Sequence, residues 1–548
     1  MKVLIVGGVA GGASAAARLR RLDESAEIIM FERGPYISYA NCGLPYYVGG
    51  VIPHRDDLLL QTPESFYART AVEVRVNTEV TAINRAAKTV KAREAGGREY
   101  TESYDCLLLA PGAQPFVPPL PGADLPGIFT VKDVPDALAI KSYVGEHRAK
   151  SALVVGGGYI GVEMAENLHD LGLRVTLCEL SDQVIAPLDF DMAQELHVHM
   201  RHKGIDLRLK TGLTALAASD GRLAAALSDG RELPVDVVIL SVGMRPASGL
   251  ASAAGLETDT RGFILTDSHM RTSDPAIYAA GDAVAVRILG TDEVGSVALA
   301  GPANRQGRIA ADNMAGISSE FSPVQGSAII KCFDMTAAST GLNEKTARRL
   351  DIPYEKVYTF SASHATYYPG ASFMSLKLLY TPGTGRLLGA QVVGGEGADK
   401  RCDVLATAIR ADLTVEDLCE LELCYAPPYS SAKDPVNMAG FVAQNIRAGL
   451  IKPYYWNEVA GLDWGTVTIL DVRTAGETAS GTIEGAVCIP VDELRGRLGE
   501  LDKTKPVYVN CYSGQRSYTA CRILSQQGFD CYSLLGGYRL YTVATAKI

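Results

Sequence analysis

The chain has 548 residues, of which 47% are hydrophobic and 21% charged, a composition typical of a globular protein with about three or four domains. Its formal charge of −10 argues against a sequence-independent nucleic-acid surface, because phosphate neutralisation needs clustered Lys and Arg. No stretch reaches the roughly 18 apolar residues that span a bilayer, and the 11 cysteines include no paired C-x-x-C spacing. We therefore expect a cytoplasmic protein without a metal site and without nucleic-acid or membrane partners.

The chain opens with an apolar strand at 2–6, a glycine loop at 7–12, an alanine-rich helix and a second strand at 27–31. This start resembles a signal peptide, but its apolar run is short and broken by glycines, so a strand entering a helix is the better interpretation. Gly7, Gly11 and Gly12 let backbone N–H groups approach a pyrophosphate, and Glu32 is placed to bind ribose hydroxyls. Val9 occupies the middle glycine position of this dinucleotide fingerprint.

The same pattern returns with a strand at 152–155, a glycine loop at 156–161 and a strand at 174–178. Gly156, Gly158 and Gly161 form the loop, and Glu179 closes the unit. Two fingerprints, each followed by an acidic residue at the expected distance of roughly 20 residues, indicate two dinucleotide-binding domains.

Three further apolar strands end at glycine: 107–111 at Gly112, 238–242 at Gly243, and 277–280 at Gly281 and Asp282, before a helix-like stretch. Together with the two fingerprints they resemble the flavoprotein pyridine nucleotide-disulfide oxidoreductase family, in which an NAD domain interrupts the FAD domain. The resemblance implies that these glycines contact the cofactors and that Asp282 binds the flavin ribityl chain. It also implies an α+β dimerisation domain and a homodimer.

The last part of the chain has its own cysteine loop, since a strand at 507–510 ends at Cys511-Tyr-Ser-Gly-Gln-Arg516 before a helix. Such a loop aims N–H groups and the positive helix end at the sulfur, which favours a thiolate and then a persulfide. The loop, with 471–473 and 481–486, resembles single-domain rhodaneses, and this implies a catalytic Cys511 and a substrate-binding Arg516. A phosphatase-like loop places Cys and Arg similarly but has one more residue between them.

The predicted fold is therefore α/β, with Rossmann-like FAD and NAD(P) domains, an α+β dimerisation domain and a rhodanese domain. The predicted boundaries are 1–149 and 266–320 for the FAD domain, 150–265 for the NAD domain, 321–445 for the dimerisation domain, 446–462 for a linker and 463–548 for the rhodanese domain.

Cys42 lies in a loop after the first nucleotide-binding unit, where it can meet a redox ring. Disulfide reductases of the family carry two cysteines separated by four residues, but here Ile37 occupies the earlier position, so no internal disulfide can form there. Cys42 must take an external thiol or stop at a sulfenic acid. In the family, coenzyme A disulfide and persulfide reductases do the former, and NADH oxidases and peroxidases the latter. The peroxidase branch has a histidine where this chain has Ala10.

The resemblance to the coenzyme A branch implies roles for several further residues. Tyr367 and Tyr425 would cross the dimer to reach Cys42 of the other subunit as catalytic groups. The implied coenzyme A contacts are Ser14, Arg18, Arg21, Ser38, Asn41, Asn304 and Lys433.

We therefore predict a reductase of coenzyme A persulfide, polysulfide or disulfide that uses FAD and NADH, with sulfane-sulfur transfer by Cys511. The strictness of NADH over NADPH, the sulfur donor and the direction of sulfur flow stay open at this point. So do two alternatives, an NADH oxidase or peroxidase and a non-catalytic redox or sulfur sensor.

Overall fold

The computed structural model describes residues 1–547, which form two compact units. The first unit comprises Met1–Leu180 with Lys210–Val324, and the second comprises Ser181–Leu209 with the chain from Gln325 onward. Among residues 1–547, no helix is both long enough and apolar enough to cross a membrane.

A parallel sheet forms the core of the predicted FAD domain. Its strands are nearly continuous apolar runs because both faces are covered, and Val3, Leu4 and Ile5 are fully buried. Lys2 pairs with Glu27 and Val6 with Phe31, a register that brings Gly7 and Glu32 to the same edge. The strand order is Ile277–Ala279, Cys106–Leu109, Lys2–Val6, Glu27–Phe31 and Glu73–Arg75.

Two helices, Ala10–Leu22 and Ala300–Met314, pack closely against each other beside this sheet. A Cβ atom on Gly307 would lie 2.2 Å from the backbone oxygen of Gly11, so only glycine permits this approach. The helix-like stretch expected directly after Asp282 is instead a pair of short strands, Val286–Arg287 and Val294–Gly295, and the helix begins only at Ala300.

A second parallel sheet forms the predicted NAD domain. In the first unit its strand order is Arg174–Cys178, Ser151–Val155, Val237–Leu240 and Ile128–Phe129. The helices Val134–Glu146 and Tyr159–Asp170 belong to this part of the chain.

Smaller elements complete the first unit. Two antiparallel sheets consist of Thr78–Asn84, Thr89–Glu94 and Glu99–Ser103, and of Leu213–Ser219, Arg222–Leu227 and Glu232–Val235. Ala113–Pro115 pairs with Met244–Pro246. The remaining helices are Leu44–Val48, Pro63–Thr70 and Gly249–Ala253, with 3-10 turns at Asn41–Gly43 and Arg55–Leu58.

The second unit contains an antiparallel sheet in the predicted dimerisation domain. Its order is Ala328–Cys332, Met335–Gly341, Leu387–Gly394, Phe373–Tyr380 and Glu355–Ala362. The helices are Phe190–His202, Glu344–Arg349, Ala398–Arg410, Val415–Glu420 and Pro435–Arg447, and the segment 181–209 also carries the strand Asp206–Arg208.

A buried lysine lies on this sheet. The Lys377 ammonium is fully buried, 2.9 Å from carboxylates of both Asp189 and Asp191, and it also contacts Glu344. A charge in such a position requires this pairing, because burying an isolated ammonium is very costly.

The last domain of the second unit is built on a parallel sheet. Its order is Pro453–Tyr454, Cys531–Leu534, Val507–Asn510, Thr468–Asp471 and Val487–Cys488. Its helices are Ala475–Ala479, Gln515–Gln526 and Gly537–Ala544, and its 3-10 turns are Val459–Gly461, Leu494–Gly496 and Leu498–Glu500. The stretch 446–462, predicted as a linker, thus contributes the edge strand Pro453–Tyr454 to this sheet.

Candidate functional site

The first glycine loop leaves no room for side chains at two of its predicted glycines. A Cβ on Gly7, where φ is +103°, would lie 2.1 Å from the Ala110 oxygen, and one on Gly12 would lie 1.9 Å from the Gly7 oxygen. The Glu32 carboxylate accepts hydrogen bonds from Gly8 N–H at 2.9 Å and Gly34 N–H at 2.8 Å, which holds it at the loop. This arrangement fits the phosphates and ribose of a dinucleotide such as FAD.

The second glycine loop repeats this geometry. A Cβ on Gly156, where φ is +104°, would lie 2.4 Å from the Ser241 oxygen, and one on Gly161 would lie 1.9 Å from the Gly156 oxygen. Glu179 accepts a hydrogen bond from Gly157 N–H at 2.7 Å, as Glu32 does from Gly8. The loop therefore fits a second dinucleotide.

Val9 occupies the middle glycine position of the first fingerprint, which corresponds to Gly158 in the second. The φ angle is −104° at Val9 and −75° at the equivalent Gly158, so neither backbone needs glycine there. A Cβ on Gly158 would meet nothing within 4 Å. This position therefore does not need the left-handed φ that Gly7 and Gly156 adopt.

The other predicted cofactor residues combine left-handed glycines with a desolvated carboxyl. Gly112 and Gly243 have φ of +67° and +116°, and a side chain there would meet nothing within 4 Å, which leaves space for a ligand. Gly281 N–H donates to Gln306 Oε1 at 2.7 Å. Desolvation raises the pKa of Asp282, although the charge of Lys132, a residue that sequence reasoning missed, opposes the shift.

Cys42 is an exposed thiol in the 3-10 turn Asn41–Gly43, at the start of the helix Leu44–Val48. Ser38 N–H donates to the Gly8 oxygen at 2.8 Å, which ties the Cys42 segment to the first glycine loop. Ile37 is buried beside the same loop, and its hydrocarbon side chain has no sulfur with which Cys42 could form a disulfide. Desolvation by the surrounding side chains raises the pKa of Cys42, and the carboxylates of Glu163 and Asp282 raise it further.

A glutamate absent from the sequence predictions lies close to this thiol. Glu163, on the helix Tyr159–Asp170, accepts a hydrogen bond at 3.2 Å from the hydroxyl of Tyr46, which follows Cys42 by four positions. Desolvation, with a smaller effect of Glu166, raises the pKa of Glu163 to about 7. Glu163 belongs to neither fingerprint, so no spacing signal identified it.

A cavity of about 350 Å³ brings together five of the predicted substrate residues. Ser14 donates to Asn304 Oδ1 at 2.7 Å, and Arg18 pairs with Asp312 through a contact of 2.6 Å that partly neutralises it. The cavity is lined by the predicted Ser14, Arg18, Arg21, Ser38 and Asn304, together with Phe66 and Arg308. Arg308 follows Asn304 by one helical turn, a spacing that could have identified it.

Arginine guanidinium groups bind phosphate well through paired hydrogen bonds, so this lining suits a phosphorylated ligand. Ser38 lines the cavity and precedes Cys42 in the same segment, so the cavity adjoins the segment that carries the thiol.

Three of the residues predicted for the reductase site, Tyr367, Tyr425 and Lys433, lie in the second unit. The hydroxyls of Tyr367 and Tyr425 are 3.1 Å apart, and their side chains are exposed, as is Lys433. The loops that carry them are joined by Arg401, a fully buried residue that sequence reasoning missed. Its guanidinium donates to Ser363 O at 2.8 Å and to Ser430 Oγ at 3.1 Å, and it pairs with Asp434 at 2.8 Å.

Cys511 lies buried where the strand Val507–Asn510 ends. Gly514 N–H donates to its sulfur at 3.1 Å, and the positive φ of Gly514, +115°, turns the loop around that sulfur. The thiol contacts Ser517 Oγ at 3.6 Å. Arg516 forms a bidentate pair with Glu477, at 2.7 and 2.6 Å. The loop thus places a backbone N–H group against the Cys511 sulfur.

No group of three or more His, Cys, Asp or Glu side chains within residues 1–547 could hold a metal ion.

Comparisons with known proteins match three parts of the chain to family models. Residues 1–307 match the pyridine nucleotide-disulphide oxidoreductase model, residues 327–435 its dimerisation domain, and residues 459–544 the rhodanese-like domain.

Among relatives, coenzyme A disulfide reductase of Staphylococcus aureus (strain JH9) is 37% identical over 445 residues, which is 81% of this chain and 100% of that protein. The crystal structure of reduced Bacillus anthracis CoADR-RHD superposes with a TM-score of 0.97 at 46% identity, covering 99% of this chain and 98% of that one. A NAD-dependent persulfide reductase from A. fulgidus gives 0.93 at 39% identity, covering 98% and 100%.

These matches confirm the predicted fold class and the predicted resemblance. The family uses FAD and a pyridine nucleotide, and both glycine loops described above fit such cofactors. The chain therefore belongs to the pyridine nucleotide-disulphide oxidoreductase family, and it carries a rhodanese-like domain after its dimerisation domain.

Proposed function

We propose that this chain is an NADH-dependent, FAD-containing reductase of coenzyme A persulfide, polysulfide and coenzyme A disulfide. The observation that carries the proposal is the arginine-lined cavity that shares Ser38 with the segment of the exposed thiol Cys42. Coenzyme A has phosphates at one end and a thiol at the other, so it requires both features in one site. The names of the coenzyme A disulfide reductase and persulfide reductase relatives support this substrate class.

In this proposal the cavity holds the nucleotide end of coenzyme A. Arg21 and Arg308 are exposed and present their charges to phosphate, whereas Asp312 reduces the net charge that Arg18 offers. Ser14 and Asn304 add hydrogen-bonding groups at the same wall. Ser38 and Asn41 then lie on the path towards Cys42, beside which the thiol end would react.

The Cys42 thiolate would attack the inner, coenzyme A-bound sulfur of a persulfide, forming a mixed disulfide between Cys42 and coenzyme A and releasing hydrosulfide. FAD, when bound, supplies the two-electron transfer from the nicotinamide that reductive cleavage of this disulfide requires. Glu163, with its pKa near neutrality, is suited to hold the proton that Cys42 loses. Tyr46 keeps that carboxyl in place.

Two tyrosines of the second unit complete the proposed redox site. The hydroxyls of Tyr367 and Tyr425 donate hydrogen bonds to the leaving sulfur of the mixed disulfide in the other subunit. Lys433 contacts coenzyme A at the same place. The dimerisation-domain match supports a homodimer of this kind. We also place the enzyme in the cytoplasm.

The rhodanese-like domain adds the sulfur-transfer step. Cys511 accepts or delivers sulfane sulfur as a persulfide, stabilised by the Gly514 N–H group. Tethering this group to the reductase raises the effective concentration of transferable sulfur near Cys42.

The test is steady-state NADH oxidation with coenzyme A persulfide, coenzyme A disulfide, polysulfide and hydrogen peroxide as separate substrates. Cys42→Ser should abolish turnover of the sulfur substrates while the flavin absorbance of the purified protein is retained. The matched control is Cys488→Ser, which removes another exposed thiol and should leave turnover unchanged.

Other outcomes would overturn the proposal in distinct ways. Near wild-type turnover by Cys42→Ser would make another cysteine the redox centre. Faster consumption of peroxide than of any sulfur substrate would indicate an oxidase or peroxidase, and no turnover with any of the four would indicate a sensor.

A further inference from the structure

The cysteine loop of the rhodanese-like domain has one cationic side chain, and that cation is already paired. Between Cys511 and Arg516 the sequence offers no other Lys or Arg. The Arg516 guanidinium donates from Nη1 to Glu477 Oε2 at 2.7 Å and from Nη2 to Glu477 Oε1 at 2.6 Å. Two parallel charge-assisted bonds are the strongest arrangement that these groups can form.

Glu477 is held in place for this contact by its own helix. It lies in the first turn of the helix Ala475–Ala479, where Thr474 N–H and Thr474 Oγ1 donate to Glu477 Oε2 at 3.0 and 2.8 Å. The hydrogen bond from Arg516 is the largest cause that lowers the pKa of Glu477 to about 2, so the carboxylate stays charged at neutral pH. The pair is therefore formed before any substrate arrives.

A second arginine of this domain is also neutralised. The Arg473 side chain is 4% exposed, pairs with the buried Asp471 at 2.7 Å and donates to the Gly481 oxygen at 2.7 Å. Its guanidinium lies over the Tyr538 ring, 4.0 Å from the centroid. Arg473 therefore supports the domain core and presents no free charge to a ligand.

The charge of the sulfur donor decides how much this pairing matters. With thiosulfate, the Cys511 thiolate attacks the outer sulfur, the S–S bond breaks, and sulfite leaves with two negative charges. With a thiol-borne persulfide anion, the same attack leaves the Cys511 persulfide and a thiolate with one charge. The oxyanion donor needs a free cation at the loop, whereas the persulfide can bind through the rest of its carrier molecule.

We propose that Glu477 makes Cys511 selective for thiol-borne persulfides over oxyanion sulfur donors, by occupying the guanidinium fork of Arg516. The inference rests on the proposed role of Cys511 in sulfur transfer and names the substrate class of that site. Glu477 acts through Arg516, so it is a positioning residue.

The first test uses the wild-type protein, with sulfur transfer to an acceptor thiol measured for thiosulfate and for coenzyme A persulfide. We expect kcat/KM to be at least about tenfold lower for thiosulfate, the factor that one charge-assisted hydrogen bond provides. Equal values for the two donors would overturn the proposal without any variant having to fold.

The second test uses Glu477→Gln, which frees Arg516. The ratio of kcat/KM for thiosulfate to that for persulfide should rise about tenfold, mainly through a lower KM for thiosulfate. Glu477→Asp keeps the charge and should stay closer to wild type. The double variant Glu477→Gln, Arg516→Gln should lose the gain, because it lacks the cation. Glu493→Gln breaks another ion pair of the domain, with Arg497, and should leave the ratio unchanged.

An unchanged ratio in Glu477→Gln, with thermal unfolding like that of wild type, would overturn the proposal. So would an equal loss with both donors, which indicates a purely structural role. Failure of the proposed function is recognised separately, because sulfur transfer would then survive in Cys511→Ser.

Discussion

The helix Gly537–Ala544 braces the cysteine loop, and we predict that it depends on one buried ion pair. Tyr538 N–H donates to the Cys511 oxygen at 2.7 Å, and Arg539 N–H to the Tyr512 oxygen at 3.1 Å. The Arg539 side chain reaches Glu195 with contacts of 2.7 and 2.5 Å and lies over the Phe360 ring at 4.0 Å. Replacing Arg539 by Ala removes both contacts.

The magnitude follows from the burial of Glu195. Its side chain is 5% exposed and that of Arg539 is 18% exposed, so the variant leaves a buried carboxylate without its cation. Breaking a buried pair in this way costs about 3–5 kcal/mol. Ser375 Oγ still donates to Glu195 at 2.7 Å, which places the expected loss near the lower end, at about 3 kcal/mol.

Amide hydrogen exchange of residues 537–544 measures this loss directly, because it reports the free energy of local opening. A loss of about 3 kcal/mol should accelerate exchange about 100-fold. Arg497→Ala, which removes an exposed pair with Glu500, should change the same amides less than about twofold.

The double variant Arg539→Leu, Glu195→Leu should recover most of the protection, since apolar replacement of a buried pair is often neutral. Exchange within about threefold of wild type in Arg539→Ala would refute the reasoning, because the pair would then contribute little to holding this helix.

Three further predictions concern Cys511, Glu179 and Glu163. Cys511→Ser should abolish sulfur transfer to an acceptor but largely spare NADH-dependent reduction of free coenzyme A persulfide; equal loss in both assays would make Cys511 an obligatory partner in every turnover. Glu179, held by Gly157 N–H, should repel a 2′-phosphate, so kcat/KM should be higher with NADH than with NADPH, and equal values would contradict this. Folding raises the pKa of Glu163 from 4.5 to about 7, so its stabilising contribution is complete below about pH 4.5 and is lost as the pH rises through about 7. The Tm of Glu163→Gln should therefore rise relative to that of wild type as the pH increases from about 5 to about 8. A Tm difference that does not depend on pH would exclude this linkage.

Local features of this chain could be predicted because the interactions that define them lie within short segments. The two glycine loops follow apolar strands directly, and Glu32 and Glu179 close their units at the expected distance. The single-cysteine character of the Cys42 segment follows from Ile37 alone, without knowledge of the fold. The Cys511 loop could likewise be recognised from the strand before it and the helix after it.

The tertiary structure decided which distant groups meet and what charge they retain. Arg18 could be predicted as a phosphate ligand, but its partner Asp312 is 294 positions away, and Glu163 meets Tyr46 across 117 positions. Arg516 was predicted to bind substrate, whereas Glu477, 39 positions earlier, already occupies its guanidinium fork. Sequence patterns report on neighbours within a few turns or strands. The pairing and desolvation of a charge depend on the path of the whole chain, and these set both the cavity lining and the pKa of Glu163.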